Sequence, residues 1–338
     1  MKYLSFDDVL IQPVYNDIES RSEVDLTTHL GKFRFSTPII SANMDSVTGV
    51  AMMKAMNQCG GLGILHRFIP LEKINNIISK WSHDYGPIAI SVGANKEWQR
   101  LLKEGMLDGN FDIACVDIAH GHSEIVKQTL AIIKENYPGK SIIAGNVCTP
   151  DGFKFLSDAG ADVVKAGVGP GSLCSTRIKT GCGAPQFTAL KKIIKSRNCY
   201  EYEATEIIAD GGIRNSGDIV KCLALGCDAV MVGSLLAGTT ESLGERATVD
   251  GQDKKVYRGS ASFESMKAQG KSTTHAEGEQ TFVDFKGDVK NIIDDLVSGV
   301  KSGFTYCGSR DLETIKYKAK FIKVSSHTQM ENRPHGKV

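Results

Sequence analysis

The chain has 338 residues, 41% of them hydrophobic and 23% charged, with a formal net charge of +1. That composition supports a sizeable core, and the near-neutral balance excludes a global pull toward nucleic acid or acidic membranes, so any ligand must be held by local groups. No run of 18 apolar residues argues for a membrane span, and an acidic pair in MKYLSFDDVLIQP stands where a signal peptide would have its apolar centre; a cytoplasmic protein with neither nucleic acid nor membrane as partner is expected.

Eight short apolar runs then follow along the chain: 37–45, 60–67, 86–93, 113–121, 141–148, 163–170, 206–213 and 229–237. Most are separated by amphipathic stretches with helical spacing, such as LEKINNIISKW (71–81) and HSEIVKQTLAIIKENY (122–137). Continuous apolar strands alternating with helices are buried on both faces, as in a parallel sheet. Eight such units fit a (β/α)8 TIM barrel as a single domain over 1–338. A doubly wound sheet is the runner-up, but it would more often show fewer strands and an early G-x-G-x-x-G, which is absent. Residues 240–287, rich in Gly, Ser, Thr and charge, read as a mobile active-site excursion after the eighth strand. Residues 325–338 read as a polar tail, disordered or reaching a neighbouring subunit.

In such a barrel the chemistry sits at the C-terminal ends of the strands. The run GVGPGSLCSTR (167–177) ends the sixth strand with glycines at alternate positions, then Cys174 and, close by, Arg177. Glycines let the backbone approach a ligand or bind an ion through successive backbone groups. A cysteine in a polar loop beside a cation is placed to act as a thiolate nucleophile. The competing reading is a structural thiol on a tight turn. ADGGI (209–213) and VGSLLAG (232–238) end the seventh and eighth strands, where many barrels bind phosphate. Gly211, Gly212, Gly233 and Ser234, with Ser172, are the expected donors, and Asp210 suits the hydroxyls of a ribose. The alternative is that these glycines only make tight turns. His120 and His122 lack a third partner for a metal site, and Asp117 is the better candidate for a cofactor ribose or amide. The nine cysteines, odd in number and scattered, make a poor disulfide framework. Cys115, Cys148, Cys222 and Cys227 read as small buried hydrophobes, and Cys182 as a packing residue rather than a regulatory thiol.

VKAGVGPGSLCST (164–176) resembles the signature loop of the IMP dehydrogenase and GMP reductase family. The resemblance continues in FDDVLIQP (6–13), SRSEVDL (20–26), ANMDSVT (42–48), AGNVCTP (144–150), KTGCGAPQ (179–186), ADGGIRNSGDI (209–219) and YRGSAS (257–262), nearly the whole chain. It implies a TIM barrel that binds a purine nucleotide, GMP or IMP, and assembles as a homotetramer. Dehydrogenases of the family usually insert a pair of regulatory modules after strand two and carry a long flap with a water-activating Arg-Tyr pair. Neither feature is visible here, whereas AEGE (276–279) is similar to the segment that supplies the reductases' catalytic Glu.

The resemblance therefore implies the reductase branch, with NADPH as hydride source and ammonia as leaving group. Cys174 would be the nucleophile, with Thr176 and Glu277 as its proton relay. Met44, Tyr257, Gly259 and Ser260 would join the substrate residues already named. Arg67, Asp117, Ala119, Gly121 and Asn146 would face the cofactor. The carbonyls of Gly169, Gly171 and Cys174 would hold a potassium ion. Arg67 replaces a common Lys, and Arg does not give up its proton, which leaves it an electrostatic role. A dehydrogenase with a shortened flap, a nucleotide-binding barrel without turnover and a flavin-dependent barrel are the competing readings.

Overall fold

The computed structural model describes residues 2–199, 202, 204–268, 275–325 and 327–332. Eight strands form a closed, all-parallel barrel: β1 (Ile39–Ser41), β2 (Leu62–Leu65), β3 (Ala89–Val92), β4 (Ile113–Asp117), β5 (Ser141–Val147), β6 (Val163–Ala166), β7 (Glu206–Asp210) and β8 (Ala229–Val232). Register runs strand to strand in chain order, and β8 closes onto β1 through Val230 opposite Ile39. Each strand lies within one of the apolar runs, but every run except 86–93 and 141–148 overshoots its strand by two or more residues on the C-terminal side. Those extra residues, such as Met44-Asp45 and Gly167–Pro170, leave the ladder to form the rim where ligands bind in this fold.

Helices cover the outside: α1 (Val50–Gln58), α2 (Leu71–Ser79), α3 (Lys96–Lys103), α4 (Glu124–Asn136), α5 (Pro150–Asp158), α6 (Gln186–Cys199), α7 (Ser216–Leu225) and α8 (Val289–Tyr306). Several start on a side-chain cap. The Asn95 side chain accepts from Trp98 N–H, Thr149 from Gly152 N–H with Pro150 at the first helical position, and Asn215 from Asp218 N–H. These caps satisfy orphan amide donors and fix where each rim loop turns into its helix. Among the described residues no helix is long and apolar enough to cross a membrane.

Alternate residues of each strand point inward. The interior stack includes Ile40, Leu62, Ile64, Ala89, Ile113, Cys115, Ile143, Val163, Ile208, Ala229 and Met231. Its lower end is plugged by a hairpin, Thr28–Leu30 paired with Phe33–Phe35, whose Leu30 and Phe35 join the same cluster. The chain ends meet on the shell, where Val9–Gln12 pairs antiparallel with Lys320–Lys323. The 240–287 stretch is more structured than its composition suggested. It holds an antiparallel sheet of Arg246–Val249, Gln252–Arg258 and Gln280–Asp284, and a short helix, Phe263–Ala268.

Candidate active site at the C-terminal rim

The inward periodicity that stacks Ile113 and Cys115 on β4 places Asp117 in the next layer up. On β6 it carries Val163 to Lys165, and on β7 Ile208 to Asp210. Three charged side chains thus meet at the top of an apolar core. Lys165 Nζ donates to Asp117 Oδ1 at 2.7 Å and to Asp210 Oδ2 at 2.8 Å. Between Asp117 and Lys165 in register lies Gly145 of β5. A Cβ there would stand 2.5 Å from Lys165 Cβ and 2.7 Å from its carbonyl oxygen, so only glycine leaves Lys165 its path toward β4. Burial works against charge on Lys165, but the Asp117 and Asp210 carboxylates outweigh it and raise the ammonium pKa above the ordinary value. Burial likewise opposes ionisation of Asp117, and Lys165 overcomes it and lowers the carboxyl pKa. Asn146 Nδ2 also donates to Asp210 Oδ2, at 2.8 Å. Beneath the trio, burial pushes the Cys115 thiol up to about 12, so it stays an inert packing group.

The Gly-rich loop after β6 presents Cys174, exposed, with Sγ 3.1 Å from Thr176 Oγ1. Thr176 Oγ1 donates to Glu277 Oε2 at 2.8 Å, and His275 Nε2 lies 3.6 Å from Glu277 Oε1. Main-chain bonds hold the excursion to this loop: Ser175 N–H donates to Glu277 O at 3.0 Å and Glu279 N–H to Leu173 O at 3.0 Å. Asp45, just past β1, anchors the excursion from the other side. Its Oδ2 accepts from Arg258 Nε and from Ser265 Oγ, each at 3.0 Å. The excursion therefore delivers Glu277 to the Cys174 loop through two separate attachments.

A cleft of roughly 380 Å³ opens between these groups. Of the residues expected at the site, Met44, Arg67, Asp117, Ala119, Asn146, Gly169, Gly171, Cys174, Thr176, Asp210, Gly211 and Ser260 line it. Tyr257 and Ser172 stand just behind, their hydroxyls 3.3 Å apart, and the Tyr257 hydroxyl is 4.0 Å from Met44 Sδ. A Cβ on Gly233 would lie 3.0 Å from that same hydroxyl. Gly212 packs beside Pro170, Gly259 beside Gly278, and Gly121 N–H donates to Asn146 O at 2.7 Å. Ser234 is set apart from the cleft lining, its carbonyl accepting from Lys286 Nζ at 3.3 Å. Arg67 is largely buried, which lowers its pKa, and its guanidinium lies 4.5 Å from the Phe68 ring centroid.

Sequence reasoning passed over Lys165, although a lysine inside the apolar run VVKAGVGP was the available signal. It also passed over Asp45 and Ser265, which meet only in three dimensions. Two cysteine expectations need correction. Cys182 is exposed rather than packed, because it lies on the outward turn after the short helix Thr176–Thr180, and Cys148 is half-buried rather than buried. His122 packs its ring 4.8 Å from Phe155, and among the described residues no cluster of three His, Cys, Asp or Glu side chains could hold a metal ion.

Fold and rim together define a TIM-barrel protein whose cleft, with Asp117, Lys165 and Asp210 in its wall, is built at the C-terminal ends of its strands. The chain belongs to the IMP dehydrogenase / GMP reductase domain family, whose model matches residues 3–335. It is 39% identical to a GMP reductase of Helicobacter pylori (strain G27), over 94% of this chain and 95% of that one. It is 32% identical to an inosine-5'-monophosphate dehydrogenase of Nitrosopumilus maritimus, over 98% of both chains. That second alignment runs over 469 positions against 338 residues here, so the dehydrogenase carries sequence that this chain lacks. The fold is similar to the crystal structure of a cysteine-to-alanine variant of GMP reductase from Trypanosoma brucei in complex with guanosine 5'-monophosphate, with a TM-score of 0.89, 27% identity and coverage of 100% of this chain and 98% of that one.

Proposed function

We propose that the protein is a GMP reductase that converts GMP and NADPH to IMP, ammonia and NADP⁺ through a covalent bond between Cys174 and purine C2. The observation that carries this reading is the chain from Cys174 Sγ to Thr176 Oγ1 to Glu277 Oε2, at 3.1 and 2.8 Å. Addition of the Cys174 sulfur to C2 makes that carbon tetrahedral, and loss of the amino group restores the ring. An amine departs only when protonated. Thr176, touching both the sulfur and Glu277, is placed to carry the Cys174 thiol proton to the Glu277 carboxylate as the C–S bond forms and to return it to the leaving nitrogen, which departs as ammonia. When bound, NADPH supplies a hydride to C2. The C–S bond then breaks with its electron pair on sulfur, which regenerates Cys174. Dividing one difficult displacement into two easier steps is the advantage of the covalent route.

The cleft residues support these ligands. Asp210 offers a carboxylate to the ribose, and the Tyr257–Ser172 pair stands beside Gly233 where a phosphate would sit. On the Asp117 side, Arg67 Nε and Asn146 Oδ1, on two residues that line the cleft, are buried with no hydrogen-bond partner among the described residues. A donor and an acceptor left open in one cleft fit a polar head such as a carboxamide with its ribose. The Gly169, Gly171 and Cys174 carbonyls would hold a monovalent cation. Gly171 O already accepts from Cys174 N–H at 3.1 Å, leaving one lone pair for an ion. Assembly as a homotetramer in the cytoplasm is part of the same proposal and rests on family resemblance.

The test is a coupled assay on the purified protein. GMP with NADPH should give nicotinamide oxidation matched one-to-one by ammonia. Silence with GMP, together with NAD reduction when IMP is supplied, would make the protein a dehydrogenase instead.

A further inference from the structure

Lys165 sits at the centre of the site without a role in the reaction just described. Its side chain is 3% exposed, while the two carboxylates it joins, Asp117 and Asp210, are 20% and 19% exposed and both border the cleft. Lys165 and Asn146 both bond to Asp210 Oδ2, and among the described residues nothing donates to Oδ1. The arrangement is fixed from below by the inward periodicity of β4, β6 and β7, and from the side by Gly145.

We propose that Lys165 is a positioning residue: the shared counter-ion that holds Asp117 and Asp210 side by side against their mutual repulsion and leaves Asp210 Oδ1 as the acceptor for the nucleotide's ribose. The physical reason is charge. Two carboxylates in one low-dielectric layer repel, and without a cation between them they are driven apart. An Asp210 turned away from Lys165 no longer presents Oδ1 to the hydroxyls of a ribose. The other groups facing Lys165 are Cys115, held as a neutral thiol, and, beyond Asp117, the Arg67 guanidinium. Arg67 lies on the Asp117 side and does not replace Lys165 at Asp210. A lysine that merely filled space would be replaced by methionine with little consequence for ligand affinity.

The inference rests on the nucleotide-binding part of the function proposed above. It is tested by calorimetric titration of IMP, without nicotinamide, into four proteins: wild type, Lys165→Met, Asp117→Asn and the double variant. Lys165→Met leaves two carboxylates unbalanced, and IMP affinity should fall by about tenfold or more. The double variant removes one of those charges and should bind IMP several-fold more tightly than Lys165→Met, although it has lost a second native side chain. If Lys165→Met does not fold, recovery of a cooperative thermal transition in the double variant is the same rescue. A double variant that binds as weakly as Lys165→Met, or that also fails to fold, overturns the proposal, as does a Lys165→Met protein that binds IMP like wild type. Failure of the wild-type protein to bind IMP or GMP would instead overturn the nucleotide reading, so the two failures are distinguishable.

Discussion

Gly145→Ala is the smallest change that tests how the charged layer is built. The added methyl would stand 2.5 Å from Lys165 Cβ and 2.7 Å from Lys165 O, both part of β6 rather than the far end of a flexible chain. Neither can swing aside, so β5 and β6 must separate locally or Lys165 must shift. Overpacking of this kind costs about 1–3 kcal/mol. At roughly 2.1 cal/mol/K of unfolding entropy per residue, that corresponds to a Tm lowered by about 1.5–4 °C for a chain of this length. The same shift moves the lysine away from Asp117, so nucleotide affinity should fall along with stability. Thermal unfolding and IMP titration on one preparation read both effects. Unchanged Tm and unchanged affinity would refute the claim that glycine is required for Lys165 to reach across β5.

Thr176→Val removes the hydroxyl between Cys174 Sγ and Glu277 Oε2 while keeping the side chain's shape; kcat should drop by about 10²–10³-fold with little change in KM for GMP. A kcat within a factor of two of wild type would remove Thr176 from the relay. Asp45→Ala releases both Arg258 and Ser265, so limited proteolysis between 260 and 285 should accelerate and kcat should fall about tenfold; an unchanged cleavage rate would mean that the Ser175–Glu277 and Leu173–Glu279 bonds suffice. Glu206, at the start of β7, has its carboxyl pKa raised from 4.5 to about 7, chiefly by burial. The protonated form is favoured on folding, so its contribution is fully present below about pH 4.5 and is lost as pH rises through 7. Glu206→Gln stays neutral and its amide oxygen can still accept from Gly31 N–H, which lies 3.3 Å from Glu206 Oε2. It should therefore be more stable than wild type at pH 8, by up to about 3 kcal/mol, and near wild type at pH 4.5; equal Tm at both pH values would contradict the burial argument.

Much of the frame was legible because parallel strands buried on both faces leave apolar runs that need no alternation, and all eight barrel strands fall inside such runs. Their ends were legible only in part. Residues such as Gly167 and Val168 are as apolar as the strand before them, and only the closing of the barrel decides where the ladder stops. The Cys174 loop was legible through its glycine spacing, and Asp210 and Asp117 through their place at strand ends. Lys165 was hidden because it lies within its strand, and its role exists only where the inward faces of three strands converge. Asp45 was hidden for a related reason: it precedes Arg258 by more than two hundred positions, and no local pattern predicts that contact. The sheet in the excursion escaped because Gly, Ser and charge dominate its composition, and its strands gain their stability from pairing with one another.

The central claim is that Cys174 bonds to the purine. The most direct measurement is mass spectrometry of the protein quenched in acid while turning over GMP at limiting NADPH. The account predicts an added nucleotide on the peptide that contains Cys174, absent from Cys174→Ala. A protein that turns over GMP with no adduct on that peptide, or with undiminished turnover in Cys174→Ala, would contradict it.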